Sequence, residues 1–151
     1  MSGGGDESEK ARGRVAAIDL GSRRIGIAYS DSARTLASPW GTVERSGDAE
    51  RDRLAVVAAV RECEAGTLVV GLPLSLSGQA GPAARAALDE TEALRALLQP
   101  FGVAVETADE RFTTVEAERG MRAAGRTGKA ARKVVDSAAA MVLLQSWLDR
   151  S

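Results

Sequence analysis

The stretch Arg14-Val15-Ala16-Ala17-Ile18-Asp19-Leu20-Gly21-Ser22-Arg23-Arg24-Ile25-Gly26-Ile27-Ala28-Tyr29 decides the fold. Val15 to Leu20 is a short apolar run that reads as a buried strand. Gly21-Ser22 signals a turn, and Ile25 to Tyr29 follows as a second strand, so the pair reads as a β-hairpin. Asp19 stands near the carboxyl end of the first apolar run. An isolated carboxylate in low dielectric is costly, so it either neutralises or finds a cation.

Outward from the hairpin, a third strand is expected from Thr35 to Val43, interrupted around Pro39. Ala49 to Glu64 has helical periodicity, with Leu54, Val57, Ala58 and Arg61 along one side. Thr67 to Leu72 is a continuous apolar run of the kind buried on both faces of a sheet. Pro73 to Gly81 breaks the pattern and reads as a loop. Pro82 suits the first turn of a helix that reaches about Gln99, with Leu88, Leu94, Leu97 and Leu98 read as inward. Val103 to Ala108 is another strand. Thr113 and Glu116 have capping-box spacing for a short helix that ends at Gly125, and Lys129 to Leu148 is an alanine-rich final helix. This order predicts an α/β fold: a mixed five-stranded sheet flanked by helices, with an antiparallel hairpin first and parallel strands joined by right-handed crossovers later. Residues 13–150 read as a single domain behind a polar, glycine-rich tail, 1–12, expected to be disordered.

Composition narrows the chemistry. The 151 residues contain no histidine and one cysteine, Cys63. This excludes Ser-His-Asp and Cys-His triads, histidine-ligated zinc, a thiolate metal cage and any intrachain disulfide. Cys63 lies between Glu62 and Glu64, which disfavour a thiolate; it reads as one position on an amphipathic helix. No apolar stretch approaches the ~20 residues of a membrane span, and the N-terminus has no apolar signal-peptide core. A cytoplasmic protein is the expectation. The formal net charge is −1, but Arg111 to Lys133 holds seven basic residues (Arg111, Arg119, Arg122, Arg126, Lys129, Arg132, Lys133) against Glu116 and Glu118. A solvated helical face is the ordinary reading of such a run.

Three carboxylates carry the functional argument. Asp19 ends the first strand, Glu110 follows the last, and Asp136 interrupts the apolar final helix. Ligand sites of α/β sheets gather at the carboxyl edge of the strands. If the strands of Asp19 and Glu110 are both central and parallel, their side chains converge there. Asp136 joins them from a helix whose Ala139 and Ala140 permit close packing. Three clustered oxygen donors suit Mg²⁺ or Mn²⁺, and such ions activate water against phosphodiesters. Gly21 would let a phosphate approach the backbone. Each residue also has an ordinary reading: Asp19 as a turn residue, Glu110 paired with Arg111, Asp136 paired with Arg132 one turn back.

Five ordered segments resemble the YqgF/RuvX family of the ribonuclease H-like superfamily. They are Asp19 to Ala28, Val69 to Leu74, Gly78 with Gly81-Pro82, Asp109 to Thr114, and Val135 to Ala139 with Leu144-Gln145. The resemblance covers about Arg14 to Leu148. It implies a ribonuclease H-like fold and a metal-dependent nuclease, a hydrolase of nucleic-acid phosphodiesters that leaves 5′-phosphate and 3′-hydroxyl ends. It implies that Asp19, Glu110 and Asp136 are the catalytic and metal-binding residues, and that Arg24 and Arg111 contact phosphate. The basic stretch through Arg122, Arg126, Lys129, Arg132 and Lys133 is then the nucleic-acid-binding element, and the loop Leu74 to Gly81 lies on the substrate side. The partner is structured RNA or branched DNA, bound by a monomer or homodimer. Two roles stand within the family: 5′-end processing of the pre-16S rRNA, the favoured one, and Holliday junction resolution. Outside it stand a non-catalytic nucleic-acid-binding module and an actin-like ATPase, for which one domain is too short.

Overall fold

Seven residues with alternating faces set the architecture. In a computed structural model that describes residues 13–75, 77–112 and 137–150, β1 (Arg14–Leu20) is buried on both sides. Its neighbours are β2 (Arg24–Ser30), β3 (Ala37–Glu44), β4 (Ala65–Leu72) and β5 (Ala104–Asp109). The sheet order is β3-β2-β1-β4-β5. The pairs β1–β2 and β2–β3 are antiparallel, while β1–β4 and β4–β5 are parallel. The mixed five-stranded sheet expected from the element order is therefore present. Ala16 and Ile18 join Ile27, Leu68 and Val70 on one face, covered by α1 (Ala49–Glu62) and α2 (Pro82–Leu98). Val15 and Ala17 join Ala28 and Val69 on the other, covered by α3 (Ala138–Arg150). Strands so enclosed need apolar side chains at every position, which is why β1 and β4 read as continuous runs.

The expected break near Pro39 is a bulge. Ile27 faces Gly41 and Ala28 faces Pro39, so Trp40 is the extra residue and packs on the α1/α2 core. Proline is tolerated there because β3 is an edge strand. Gly41 takes φ 137°, and its carbonyl accepts a 2.9 Å bond from the hydroxyl of fully buried Ser137. Gln145, two turns on, donates to the Thr35 carbonyl and accepts from the Ala37 amide at the other end of the strand. α3 thus starts toward the carboxyl end of β1 and β3 and runs against them. It reaches Arg150, two residues beyond the expected end.

Both helices on the opposite face were legible as helices, but their inward sides differ from the sequence reading. α1 ends at Glu62, because Cys63 closes the last turn and Glu64 adopts φ 58°. Its buried residues include Asp52, Val56, Val57 and Val60, whereas Leu54, Ala58 and Arg61 are exposed. Asp52 is buried because it accepts bonds from the amide and hydroxyl of Ser46, which hold its carboxyl below the ordinary range. A polar residue thereby took an inward place that the apolar pattern had no means to award it. In α2 the inward line is Ala84, Ala87, Thr91, Leu94 and Leu98, while Leu88 and Leu97 are exposed. Thr91 fits inside by donating its hydroxyl to the Ala87 carbonyl at 2.6 Å. The small residues let α2 approach the sheet closely, and size, not hydrophobicity, decides that face. The helix expected from Thr113 to Gly125, and the start of the final helix at Lys129, lie outside the described residues. No helix among the described residues is long and apolar enough to cross a membrane.

The observed face of α2 has a direct test. Leu94→Ala, at a fully buried position, is expected to cost about 2–5 kcal/mol. Leu97→Ala, at a position that keeps 37% of its surface exposed, is expected to cost under about 1 kcal/mol. Denaturant unfolding of the two variants measures the contrast, and equal losses would contradict the packing.

Candidate active site

Asp19 is the next residue after Val15 and Ala17 on the α3 face of β1, at the carboxyl end of the strand. Glu110 opens a single 3-10 turn, Glu110–Phe112, directly after β5. The condition that both strands be central is not met: β5 is an edge strand, and β4 lies between it and β1. Glu110 nevertheless reaches Asp19 by crossing the end of β4. Gly71 of β4 makes the crossing possible. A Cβ at Gly71 would stand 2.7 Å from Glu110 Oε1 and 3.1 Å from Leu143 of α3. The two carboxylates line a cleft of about 210 Å³, closed by Leu20, Pro73 and Ala83.

The electrostatics follow from this crossing. Burial pushes the Glu110 carboxyl up to about 8, reinforced by its hydrogen bond to Asp19 and by the negative charges of Asp19 and Asp109. Glu110 therefore holds a proton at neutral pH that an ordinary glutamate has lost, and its carboxyl is hydrogen-bonded to Asp19. Asp109, on the same turn, takes the other course. The Arg111 amide and guanidinium both donate to it, the latter at 2.6 Å, and hold its carboxyl low. Of two acids adjacent in sequence, Asp109 is thus paired with an arginine and Glu110 is hydrogen-bonded to another carboxylate. Among the described residues no group of three potential metal ligands gathers. Two adjoining hard oxygen donors nonetheless fit a divalent ion of the Mg²⁺ class.

The remaining candidates are distributed unevenly. The Arg111 guanidinium also lies against Gly78, 3.5 Å from where a Cβ would stand, so the loop after β4 is seated on it. Arg24 begins β2 at the surface, with its Nε 3.4 Å from Glu44. Asp136, Arg122, Arg126, Lys129, Arg132 and Lys133 lie outside the described residues. Gly21 has a structural reason beyond any ligand: a Cβ there would stand 2.5 Å from the Arg24 carbonyl, so the hairpin turn itself demands glycine. Cys63 is buried, not at the surface as an interchain disulfide would need. The sequence reading missed the function of Gly71. Its signal was a glycine inside an apolar strand, a mark of close approach by another group.

Two predictions follow from the crossing. Gly71→Ala should remain folded by circular dichroism, because the clash falls mainly on the tip of a flexible side chain. It should lower any metal-dependent activity by about tenfold or more, since Glu110 is displaced from Asp19. In chelator, Glu110 titrates near 8 when folded and near 4.5 when unfolded. The folded state therefore holds a proton that the unfolded state releases between those values. Its stability contribution is complete below about pH 4.5 and is lost as pH rises through about 8. The melting temperature should fall across that window, and Glu110→Gln should flatten the fall.

Comparison with known proteins places this geometry in a family. A protein of Mycobacterium sp. (strain KMS), provisionally named a pre-16S rRNA nuclease, is 45% identical over 144 residues, covering 95% of this chain and 84% of the relative. A protein of Mycobacterium leprae (strain Br4923) with the same name is 46% identical over 139 residues, covering 92% and 74%. Among solved structures, T. thermophilus RuvC in complex with a Holliday junction substrate superposes with a TM-score of 0.55 at 14% identity, covering 85% of this chain and 90% of that one. That likeness shows a shared fold. Residues 13–150 match the model of the RuvX family, described as Holliday junction resolvase, and the chain belongs to that family.

Proposed function

We propose that the protein is a metal-dependent nuclease that hydrolyses phosphodiesters, and that its cellular substrate is the 5′ region of the pre-16S rRNA in the cytoplasm. The observation that carries this reading is the convergence of Asp19 and Glu110 across β4, with Glu110 held at about 8 by burial and by its partner. A protein with no use for a cation has little reason to place two acids together where phosphate must approach. The relatives' names support rRNA as substrate. The family description supports branched DNA as a second substrate of the same site.

Asp19 and Glu110 would hold the metal, Mg²⁺ or Mn²⁺, and Asp136 is the third ligand we assign. Support for Asp136 comes from its neighbour Ser137. Ser137 is bonded to Gly41, which lies in the row Gly41–Ile27–Ile18, one residue before Asp19 along β1. When bound, the ion supplies Lewis acidity to a phosphoryl oxygen and lowers the pKa of water. The chain's own part is to present the carboxylates as anions and to fix their direction by burial, in a cleft also lined by Leu20, Pro73 and Ala83. Loss of the proton from Glu110 is linked to metal uptake, so uptake should strengthen as pH rises toward 8. Arg111, anchored by Asp109 beside the loop that holds Gly78, is placed to meet a phosphate next to the scissile one. Arg24 and the basic residues Arg122, Arg126, Lys129, Arg132 and Lys133 extend that contact along the backbone, with affinity that falls with salt.

Asp19→Asn should lower cleavage of a pre-16S rRNA fragment by roughly 10²–10³-fold while the affinity for the same fragment in chelator is kept. Mn²⁺ titration calorimetry should show binding to the native protein and none to Asp19→Asn. Retained cleavage, or parallel loss of nucleic-acid affinity, would contradict the assignment. Side-by-side assays on the rRNA fragment and a four-way DNA junction rank the two substrates.

A further inference from the structure

A second cleft adjoins the acidic one. Its volume is about 380 Å³, and it shares Leu20, Ala83 and Ala87 with the first. Its other walls are Gly21 and Ser22 of the hairpin turn, Arg45 after β3, and Ala86 and Glu90 of α2. The size falls within the range of small-ligand sites. The side of the cleft made by α2 carries no side chain longer than a methyl until Glu90, so a planar or ring-shaped group can lie against it.

Its charge is decided by pairing. Glu90 is the acid of this wall, and Arg53 clamps both its oxygens, at 2.7 and 2.9 Å. That bidentate pair removes its repulsion for anions. Arg45 is oriented by one bond, from its Nε to the Gly21 carbonyl at 2.7 Å. Its two Nη atoms make no hydrogen bond to any described residue, which leaves their four N–H donors at the rim. The cleft thus combines a small-residue wall with a cation whose Nε is bound to Gly21 and whose charge also acts on Asp52, directly beside the two carboxylates.

We propose that this cleft receives the nucleotide adjoining the scissile phosphate, on one side of it. The base or sugar lies over Ala83, Ala86 and Ala87, and its phosphate is met by Arg45. The inference rests on the nuclease reading of the neighbouring site but concerns binding, so it is tested apart from cleavage. Ala86 is exposed and lines the second cleft but not the acidic one, and longer side chains are well tolerated on a helix surface.

The test is fluorescence anisotropy with a labelled single-stranded RNA of the pre-16S 5′ region, in chelator. It uses the native chain, Ala86→Gln, Ala86→Glu, Arg45→Gln and Arg45→Lys, with melting temperatures as the folding control. Ala86→Gln should weaken binding about threefold by filling the cleft. Ala86→Glu, of the same size, should weaken it about tenfold or more, because its charge opposes phosphate. Arg45→Gln should weaken binding similarly, and Arg45→Lys should restore part of the loss. An abasic residue placed at successive positions should lower native affinity at one position only, and Ala86→Gln should be insensitive to it there. Equal affinities for Ala86→Gln and Ala86→Glu, or native affinity in both, would overturn the proposal. Failure of the native protein to cleave with Mn²⁺ present would instead overturn the nuclease reading and leave the binding result standing on its own.

Discussion

Two carboxylates pressed together at the end of a sheet are an electrostatic liability, and the rest of the structure is arranged around containing it. Asp19 cannot move, because β1 is paired on both sides and enclosed by core on both faces. Glu110 follows a strand that is not paired with β1, so its approach depends on a residue with no side chain near the end of the strand between them. Gly71 satisfies that condition. The repulsion is then relieved by a retained proton on Glu110 or by a cation that replaces it. The same contact that costs stability when both acids are ionised is the kind that a hard metal ion would relieve.

The surrounding charges show how selective that arrangement is. Asp109 is next to Glu110 in sequence but is neutralised by Arg111. Glu90 lines the neighbouring cleft but is neutralised by Arg53. Asp52 is buried but satisfied by Ser46. In each case a nearby donor absorbs the negative charge. At Asp19–Glu110, by contrast, two acids are hydrogen-bonded to each other. Pairing of Asp109 and Glu90 lowers the negative charge that this edge presents.

Helix packing explains the shape of the cleft. α2 approaches the sheet through Ala84, Ala87 and Thr91, and its outward alanines, Ala83 and Ala86, leave space at the mouth. Larger residues would have served the core as well but would have filled that space. α3 is held by Ser137 on the bulge carbonyl of Gly41 and by Gln145 on the loop before β3. The bulge and the glycine at φ 137° therefore set where the last helix begins, and it begins toward the edge that carries Asp19.

The sequence by itself determined what local pattern can carry. Continuous apolar runs fixed β1 and β4 as central strands, the glycine turn fixed the hairpin, and Pro82 marked the start of α2. Asp19 and Glu110 were legible as candidates because each follows an apolar strand, where a charge is out of place. Which side of α1 and α2 faces inward was decided only by tertiary structure, because size and hydrogen-bond partners outweighed hydrophobicity at Asp52, Ala84 and Thr91. The meeting of Asp19 with Glu110 was likewise decided there. It depends on strand order, on an edge strand curling over its neighbour, and on a missing Cβ at Gly71. Those are relations between segments far apart in the chain, and no window of the sequence contains them.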